Sequence, residues 1–511
     1  MTIAQTTTPE DTAPAELDAL LAAAKAAAPQ LAAMPLADRA AGLLAVAEAL
    51  ENEREALVEQ AVHETGLTAA RLGGELTRTI VQLKLFADTV RDGAFLDARI
   101  DEADPDFVLG PRPDLRRMLV PVGPVLNFAA SNFPFAFSVA GGDSAAAIAA
   151  GCPLIVKAHP GHPVLSRLTA GLVIAALRSS GFPEGAFSVV FGQDAGVQVL
   201  RDQRLRAAAF TGSLRAGRTL ADIAAERPRP IPFFGELGSV NPVFATRGAV
   251  EAGGGDFATA FLTSVSGSAG QLCTKPGFLF VPEGSGLEEE LALRAGGQPA
   301  QRMLYPGLGQ GFAHRRDQIL ATPGVSVVAE GGIEVHVDGH VSASPTIVSV
   351  SVDTLREHRD ALIDEAFGPL SVVVRYAEGE DLADIADEFF SGNLTGTIHL
   401  GPDEDPAVAR ELAARLSASA GRVLFGGWPT GVAVTPAMQH GGPYPATTND
   451  SSTSVGTASL GRFLRPVAYQ NAPQSMLPAA LQDANPWSVP QRIGRRGEST
   501  LWGAGSSGAA R

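Results

Sequence analysis

The chain has 511 residues, 45% of them hydrophobic, and a formal charge of −16 at pH 7. That length allows two or three domains with full cores. The acidic balance excludes the basic excess that a nucleic-acid or anionic-membrane surface needs.

The N-terminus, MTIAQTTTPEDTAPAEL, has neither a basic nor an apolar leader region, so a cytoplasmic location is expected. Apolar residues at three- and four-residue spacing predict helices over 17–34, 36–65 and 76–91. The uncharged stretch Met118–Gly142 contains Pro121, Pro124 and Pro134, which an isolated spanning helix does not accept, so no membrane contact is expected. From Leu119 the period changes. The β-rich runs VLNFAA (125–130), PLIVKAH (153–159), FSVVFG (187–192) and LRAAAFTG (205–212) alternate with helical stretches near 135–150, 162–180 and 214–226. Alternation at this spacing means βαβ units and a parallel sheet, hence an α/β fold. A second α/β region begins near residue 240, with strands at 278–283, 370–376 and 396–400. From about Leu477 the chain is rich in Pro, Gly, Ser and Arg and reads as a peripheral or partly disordered tail. Its Gly503, Gly505 and Gly508 spell G-x-G-x-x-G, but too few residues follow for the helix that a dinucleotide fingerprint requires, and the match is chance.

Two cysteines make no disulfide framework and suit a reducing compartment. A lone cysteine is more often a small buried apolar residue than a nucleophile, and Cys152 in GCPLIV fits that reading. Cys273, in GQLCTKPG (270–277), does not: polar and glycine neighbours would let backbone amides approach a reacting atom. A free thiol titrates near ~8.5 and needs a positive or amide-rich setting to attack as thiolate. Glu236 lies among apolar residues in FFGELGSVNPVF (233–244), where desolvation should raise its pKa towards that of a general base; a salt-bridged structural Glu is the alternative. Asn132 in ASNFPF (130–135) can donate to an oxyanion or cap a following helix. FTGSLRAG (210–217) places Gly212 and Ser213 where a strand meets a helix, so free N–H groups could receive a diphosphate.

Taken together these segments resemble the aldehyde dehydrogenase superfamily. Its Asn-Phe-Pro segment, strand-end Lys, Phe-Thr-Gly-Ser turn, base segment, nucleophile loop and Glu-x-Phe-Gly-Pro loop correspond in order to Asn132–Pro134, Lys157, Phe210–Ser213, Glu236–Ser239, Gly270–Cys273 and Glu365–Pro369. The resemblance implies that Cys273 attacks an aldehyde, that Asn132 and the Cys273 amide hold the oxyanion, and that Glu236 activates the water that hydrolyses a thioester. It implies cofactor contacts at Lys157, Ser213, Glu365 and Phe367; Gly212, Gly217, Leu237 and Gly238 of the same segments are added to the cofactor site, His159 and Arg215 are nominated by their charge for a 2′-phosphate, with a plain first-turn cation as the alternative for Arg215, and no metal is expected. The segment 154–168 lacks acidic residues and offers Lys157, His159 and His162, so NADP is expected as cofactor at least as readily as NAD. VKAHPGHP (156–163), GELGSVNPVF (235–244) and LFGGWPTGVAVTPAMQHGGPYPATT (424–448) are similar to the branch acting on 2-oxoglutarate semialdehyde (2,5-dioxopentanoate). Fatty-aldehyde oxidation is the alternative substrate, and a cysteine esterase without redox the alternative chemistry.

Arg78 and Gln82, four apart on one helix face, are nominated to meet the substrate's distal carboxylate, and Lys275 as an electrostatic aid to the thiolate. The implied organisation is a Rossmann-like cofactor domain (1–102 and 122–239), an α/β catalytic domain (240–448) and a small oligomerisation element (103–121 and 463–472), with 477–511 as the tail. A homodimer or homotetramer is expected.

Overall fold

The computed structural model describes residues 7–429 and 431–503. Four helices open the chain: Pro14–Ala33, Leu36–Asn52, Arg54–Thr65 and Ala69–Asp92. The single helix expected over 36–65 breaks at Glu53, whose φ of −105° and ψ of 18° leave the helical region. The fourth helix starts at Thr68, which accepts the Arg71 N–H, and stops at Gly93, whose positive φ suits glycine. Its buried Leu72, Leu76, Ile80, Leu83, Phe86 and Val90 recur every three or four residues and pack into the largest core cluster.

A five-stranded parallel sheet follows, in the order Phe187–Val190, Leu154–Lys157, Val125–Phe128, Ala207–Thr211, Phe233–Glu236. The first strand in sequence lies in the middle, and the chain winds outward on both sides of it. Such a reversal opens a crevice beyond the carboxyl ends of the strands, where open α/β sheets bind ligands. Lys157, Thr211 and Glu236 are the last residues of their strands and stand at that crevice.

Beyond Glu236 the chain passes to a second sheet of seven strands. Their order is Ser326–Ala329, Thr346–Ser351, Leu370–Tyr376, Phe278–Pro282, Pro242–Ala245, Asn393–His399, Ala420–Phe425, all parallel except the first, which is antiparallel to its neighbour. Strands 233–236, 242–245 and 346–351 are additional to those expected from the sequence.

A third sheet joins distant segments, in the order Leu464–Gln470, Leu115–Pro121, Ala98–Asp101, Gln491–Gly494. The hairpin anticipated near 103–121 pairs Ala98–Asp101 with Leu115–Pro121 across a long loop. The segment after Leu477 differs from the loose tail expected. Gln491–Gly494 pairs in parallel with Ala98–Asp101, and Leu477, Ala480, Leu481 and Val489 are buried in the main core. The glycine match extends through Gly505 and Gly508, which lie outside the described residues. Among the described residues no helix is long and apolar enough to cross a membrane.

Candidate active site

A cleft of about 840 Å³ opens at the carboxyl end of the five-stranded sheet. Lys157 lines one wall; burial lowers its pKa, and Asp11, which lines the same wall, partly restores it. His159 also lines this wall, but its Nδ1 accepts the Gly161 N–H at 3.0 Å. Burial first, then the neighbouring His162 and Lys157, push its pKa well below the usual imidazole range. His162 is fully buried between Ala130 O at 2.9 Å and Ser166 Oγ at 3.1 Å, and burial likewise lowers its pKa. The expectation that these histidines offer charge to a phosphate is therefore corrected: both are neutral.

The second wall is the turn into helix Leu214–Ala225. The Gly212 N–H donates to Glu236 O at 3.0 Å, which fastens the turn to the neighbouring strand end. Ser213 caps the helix through the Ala216 N–H, and Ser213, Arg215 and Ala216 line the cleft at the start of that helix. Gly217 does not reach the cleft. A Cβ there would sit 2.0 Å from Leu237 Cδ2, so its role is to let Leu237 lie against the helix.

Leu237, Gly238, Glu365 and Phe367 form the third wall. A side chain at Gly238 would stand 2.6 Å from Glu365 Oε2, so the glycine leaves that carboxylate its place. Burial raises the pKa of Glu365, opposed by the Lys275 ammonium; burial lowers that of Lys275, opposed by Glu365. Lys275 Nζ donates to Leu370 O at 2.6 Å. Lys275 thus spends its ammonium on Leu370 O and acts electrostatically on Glu365, and it is not among the groups that bear on the Cys273 thiol, which corrects the reading of it as an aid to the thiolate.

At the floor lies Cys273. The loop that carries it is pinned by Asn241, whose Nδ2 donates to Cys273 O at 2.8 Å and Lys275 O at 3.0 Å. Asn132 lines the same floor, with one amide hydrogen on Gln271 O at 3.1 Å and a second left for the cleft. It is no helix cap, since the next helix begins only at Asp143.

His440 completes the site, and sequence reasoning gave it no role. Its Nε2 stands 3.5 Å from Cys273 Sγ and 2.9 Å from Glu236 Oε1, although Oε1 accepts no well-aligned hydrogen bond. Ser454 Oγ donates to the other carboxylate oxygen. Glu236 and His440 are 1% and 0% exposed. Burial is the largest influence on Glu236 and raises its pKa. The opposing pull of His440, Ser454 and Arg462 outweighs it, and the net pKa falls below the usual carboxylate range. The raised value expected from its apolar neighbours is therefore corrected. The Cys273 thiol is pushed up, by burial first and then by Glu236 and Glu365, with Arg422 and its own amide opposing. Its polar surroundings do not lower it, and the resting group is a thiol. Cys152 is buried with Sγ 3.4 Å from Phe463 O, and burial pushes its pKa up to about 11.

Arg78 lies over the Phe137 ring at 5.1 Å and donates from Nε to Val432 O at 3.2 Å. Its buried Nη1 and Nη2 have no hydrogen-bond partner among the described residues, and the group lies within electrostatic reach of Cys273 and Glu236. Gln82 does not join it: fully buried, it spends Oε1 on the Gly142 N–H at 3.0 Å, so its nomination for substrate is corrected.

A cysteine, a carboxylate and an amide donor on the floor of a crevice large enough for a dinucleotide are the groups that a thiol-dependent dehydrogenase requires. Residues 2–443 match the aldehyde dehydrogenase family, and the chain belongs to it: this protein is an aldehyde dehydrogenase. It is 42% identical to alpha-ketoglutaric semialdehyde dehydrogenase 2 of Azospirillum brasilense, over 90% of this chain and 87% of that protein. It is 41% identical to alpha-ketoglutaric semialdehyde dehydrogenase of Acinetobacter baylyi, over 88% and 85%. Among solved structures, the fold is similar to that of aldehyde dehydrogenase 21 from Physcomitrella patens, with a TM-score of 0.74 at 21% identity over 90% of this chain and 92% of that one. It is equally similar to 1-pyrroline-5-carboxylate dehydrogenase from Thermus thermophilus, with a TM-score of 0.74 at 21% identity over 90% and 86%.

Proposed function

We propose that the enzyme oxidises 2-oxoglutarate semialdehyde to 2-oxoglutarate with NAD(P)⁺, through a covalent intermediate on Cys273. The observation that carries the chemistry is the contact of Cys273, His440 and Glu236 at the cleft floor. Cys273 Sγ bonds to the aldehyde carbon, and its proton passes to the His440–Glu236 pair. The oxyanion receives the second Asn132 amide hydrogen and the Cys273 N–H. When bound, the dinucleotide supplies a hydride acceptor, and loss of hydride from the bound carbon leaves a thioester. The proton taken from the thiol leaves to solvent, and Glu236 then takes a proton from water, whose oxygen bonds to the acyl carbon as the C–S bond breaks; the departing thiolate regains a proton from Glu236 and the carboxylate is released. The residues present suit that cofactor: the helix N-terminus at Ser213 for the diphosphate, Lys157 for the adenosine ribose, and Glu365 beside Gly238 for the nicotinamide ribose.

The substrate reading rests on the named relatives; Arg78, which is not among the residues lining the cleft, is kept as the candidate for the distal carboxylate because its two buried terminal nitrogens have no partner among the described residues. A spectrophotometric assay of cofactor reduction across an aldehyde panel tests it. The semialdehyde should give the highest kcat/KM, and a higher value with long-chain aldehydes would install the fatty-aldehyde reading instead. Ester cleavage without cofactor reduction would favour a thiol hydrolase, a reading that leaves the cofactor walls without purpose.

NADP⁺ is used at least as well as NAD⁺ in this account. Arg215 is exposed at the cleft, free to pair with a 2′-phosphate, while Pro160 stands where a discriminating carboxylate would. Asp11 beside Lys157 works against that phosphate, so Asp11→Asn should shift preference further towards NADP⁺. The five-stranded sheet serves the cofactor and the seven-stranded sheet the nucleophile loop. The third sheet, paired among the described residues on only one side of Leu464–Gln470, supports a homodimer or homotetramer. Two free thiols suit a cytoplasmic setting.

A further inference from the structure

Cys273, His440 and Glu236 are also a set of metal donors. Their ligating atoms all lie within 4.8 Å of one another. A tetrahedral zinc with a thiolate at about 2.3 Å and an imidazole nitrogen at about 2.0 Å holds those two atoms about 3.5 Å apart. The separation of Cys273 Sγ from His440 Nε2 is 3.5 Å. The same geometry asks for about 3.3 Å between imidazole nitrogen and carboxylate oxygen, and the two stand at 2.9 Å, a few tenths short. Two further features point to a ligand. Glu236 Oε1 is buried with no aligned hydrogen bond. Ser454 Oγ fixes the other carboxylate oxygen, the outer support that metal-binding carboxylates usually have.

We propose that this triad binds one Zn²⁺ through Cys273 Sγ, His440 Nε2 and Glu236 Oε1, leaving the fourth position towards the cleft, and that zinc so bound reversibly inhibits the enzyme. Binding exchanges the thiol proton for the metal: the S–H bond breaks, the S–Zn bond forms, and the proton leaves to solvent. No oxidant or reductant is involved. Inhibition follows because the sulfur lone pair that would attack the aldehyde is spent on the metal. The inhibition rests on Cys273 being the nucleophile; the binding does not, so the two can fail separately.

The test titrates the metal-free, full-length enzyme with zinc chloride and follows three readouts: zinc bound per chain by calorimetry, the rate of iodoacetamide labelling at Cys273, and dehydrogenase activity. A parallel titration with Co²⁺ looks for the sulfur-to-metal charge-transfer band in the near ultraviolet. One equivalent should bind, protect Cys273 from labelling and abolish activity, and a chelator should restore both. Loss of an outer support alone costs metal affinity about 10–100-fold, so Ser454→Ala should weaken zinc by that amount. His440→Gln and Glu236→Gln each remove a ligand and should weaken it more than about 100-fold, read by binding even where the variant is inactive. Cys152→Ser should leave the stoichiometry at one. Equal zinc affinity in wild type, His440→Gln and Glu236→Gln would overturn the site. So would zinc that binds without protecting Cys273. Protection of Cys273 without loss of aldehyde oxidation would instead overturn the role of that thiol.

Discussion

At the scale of single residues, the site is set by which groups share one small buried volume. Cys273 was recognisable from its glycine and polar neighbours, and Glu236 from its isolation among Phe233, Phe234 and Leu237. The state of each was not recognisable, because it depends on partners far away in sequence. Glu236 receives His440 and Ser454 from more than two hundred residues downstream, and they reverse the shift that its local sequence implies. His440 stood within the quoted block 424–448, in MQHGGP, but nothing local distinguishes a catalytic imidazole from a buried structural one. Arg422, the cation that opposes the rise in the thiol's pKa, is one arginine among many.

Three residue-scale outcomes follow. Since burial, Glu236 and Glu365 all hold Cys273 as a thiol, the thiolate fraction should rise with each pH step across the neutral range and beyond. Iodoacetamide labelling of Cys273 in the free enzyme should therefore accelerate from pH 7 to pH 10 without levelling; a plateau beginning near pH 8 would contradict the resting thiol. Replacing His440 with Ala removes the group between thiol and carboxylate, and kcat should drop about 10²–10⁴-fold, as for loss of a general acid–base partner. An unchanged kcat would remove His440 from the proton path. Arg215→Ala, which deletes a charge-assisted contact of roughly 1.5–3 kcal/mol, should raise KM for NADP⁺ about tenfold or more and leave that for NAD⁺ nearly unmoved. Equal losses with both cofactors would mean that Arg215 does not read the phosphate.

At the scale of elements, the alternating runs gave away the parallel sheet because buried stretches such as Leu154–Val156 are continuous apolar runs between helices. Strand 233–236 was missed, being short and followed at once by the base segment, although it is the strand that brings Glu236 to the crevice. The nucleophile loop depends on Gly270, whose φ is +65° and whose added Cβ would fall 2.3 Å from the Gly368 carbonyl carbon. Gly270→Ala combines left-handed strain with a backbone clash and should cost about 2–5 kcal/mol. Differential scanning calorimetry should find a lowered Tm, and an unaltered Tm would show that the two loops do not bear on each other there. Lys275 supports the opposite loop. Burial raises the Glu365 pKa, and the Lys275 ammonium opposes that rise. Without the cation, Glu365 protonates at still higher pH, so Lys275→Met should raise cofactor KM, increasingly so as pH falls from 8 to 6. A pH-independent change in KM would refute the electrostatic link.

At the scale of the whole molecule, composition and period revealed two α/β regions, and the crossover between sheets falls in residues 237–241. The third sheet was only half legible. Its strands 98–101 and 491–494 are four residues each and come from opposite ends of the chain, and a Pro-, Gly- and Arg-rich sequence conceals the second of them. Sedimentation should give a dimer or tetramer mass, and a monomer at micromolar concentration would contradict the assembly proposed for the edge at Leu464–Gln470.

The central claim is that Cys273 carries the acyl group while the cofactor is reduced, and that Glu236 is needed only afterwards. The most direct test mixes Glu236→Gln enzyme with 2-oxoglutarate semialdehyde and NADP⁺, then follows absorbance at 340 nm and the intact mass together. One equivalent of reduced cofactor per site should appear in a burst, with an acyl adduct located on the Cys273 peptide and slow turnover thereafter. Cys273→Ala should give neither. An adduct without cofactor reduction, or steady turnover with no adduct, would contradict it.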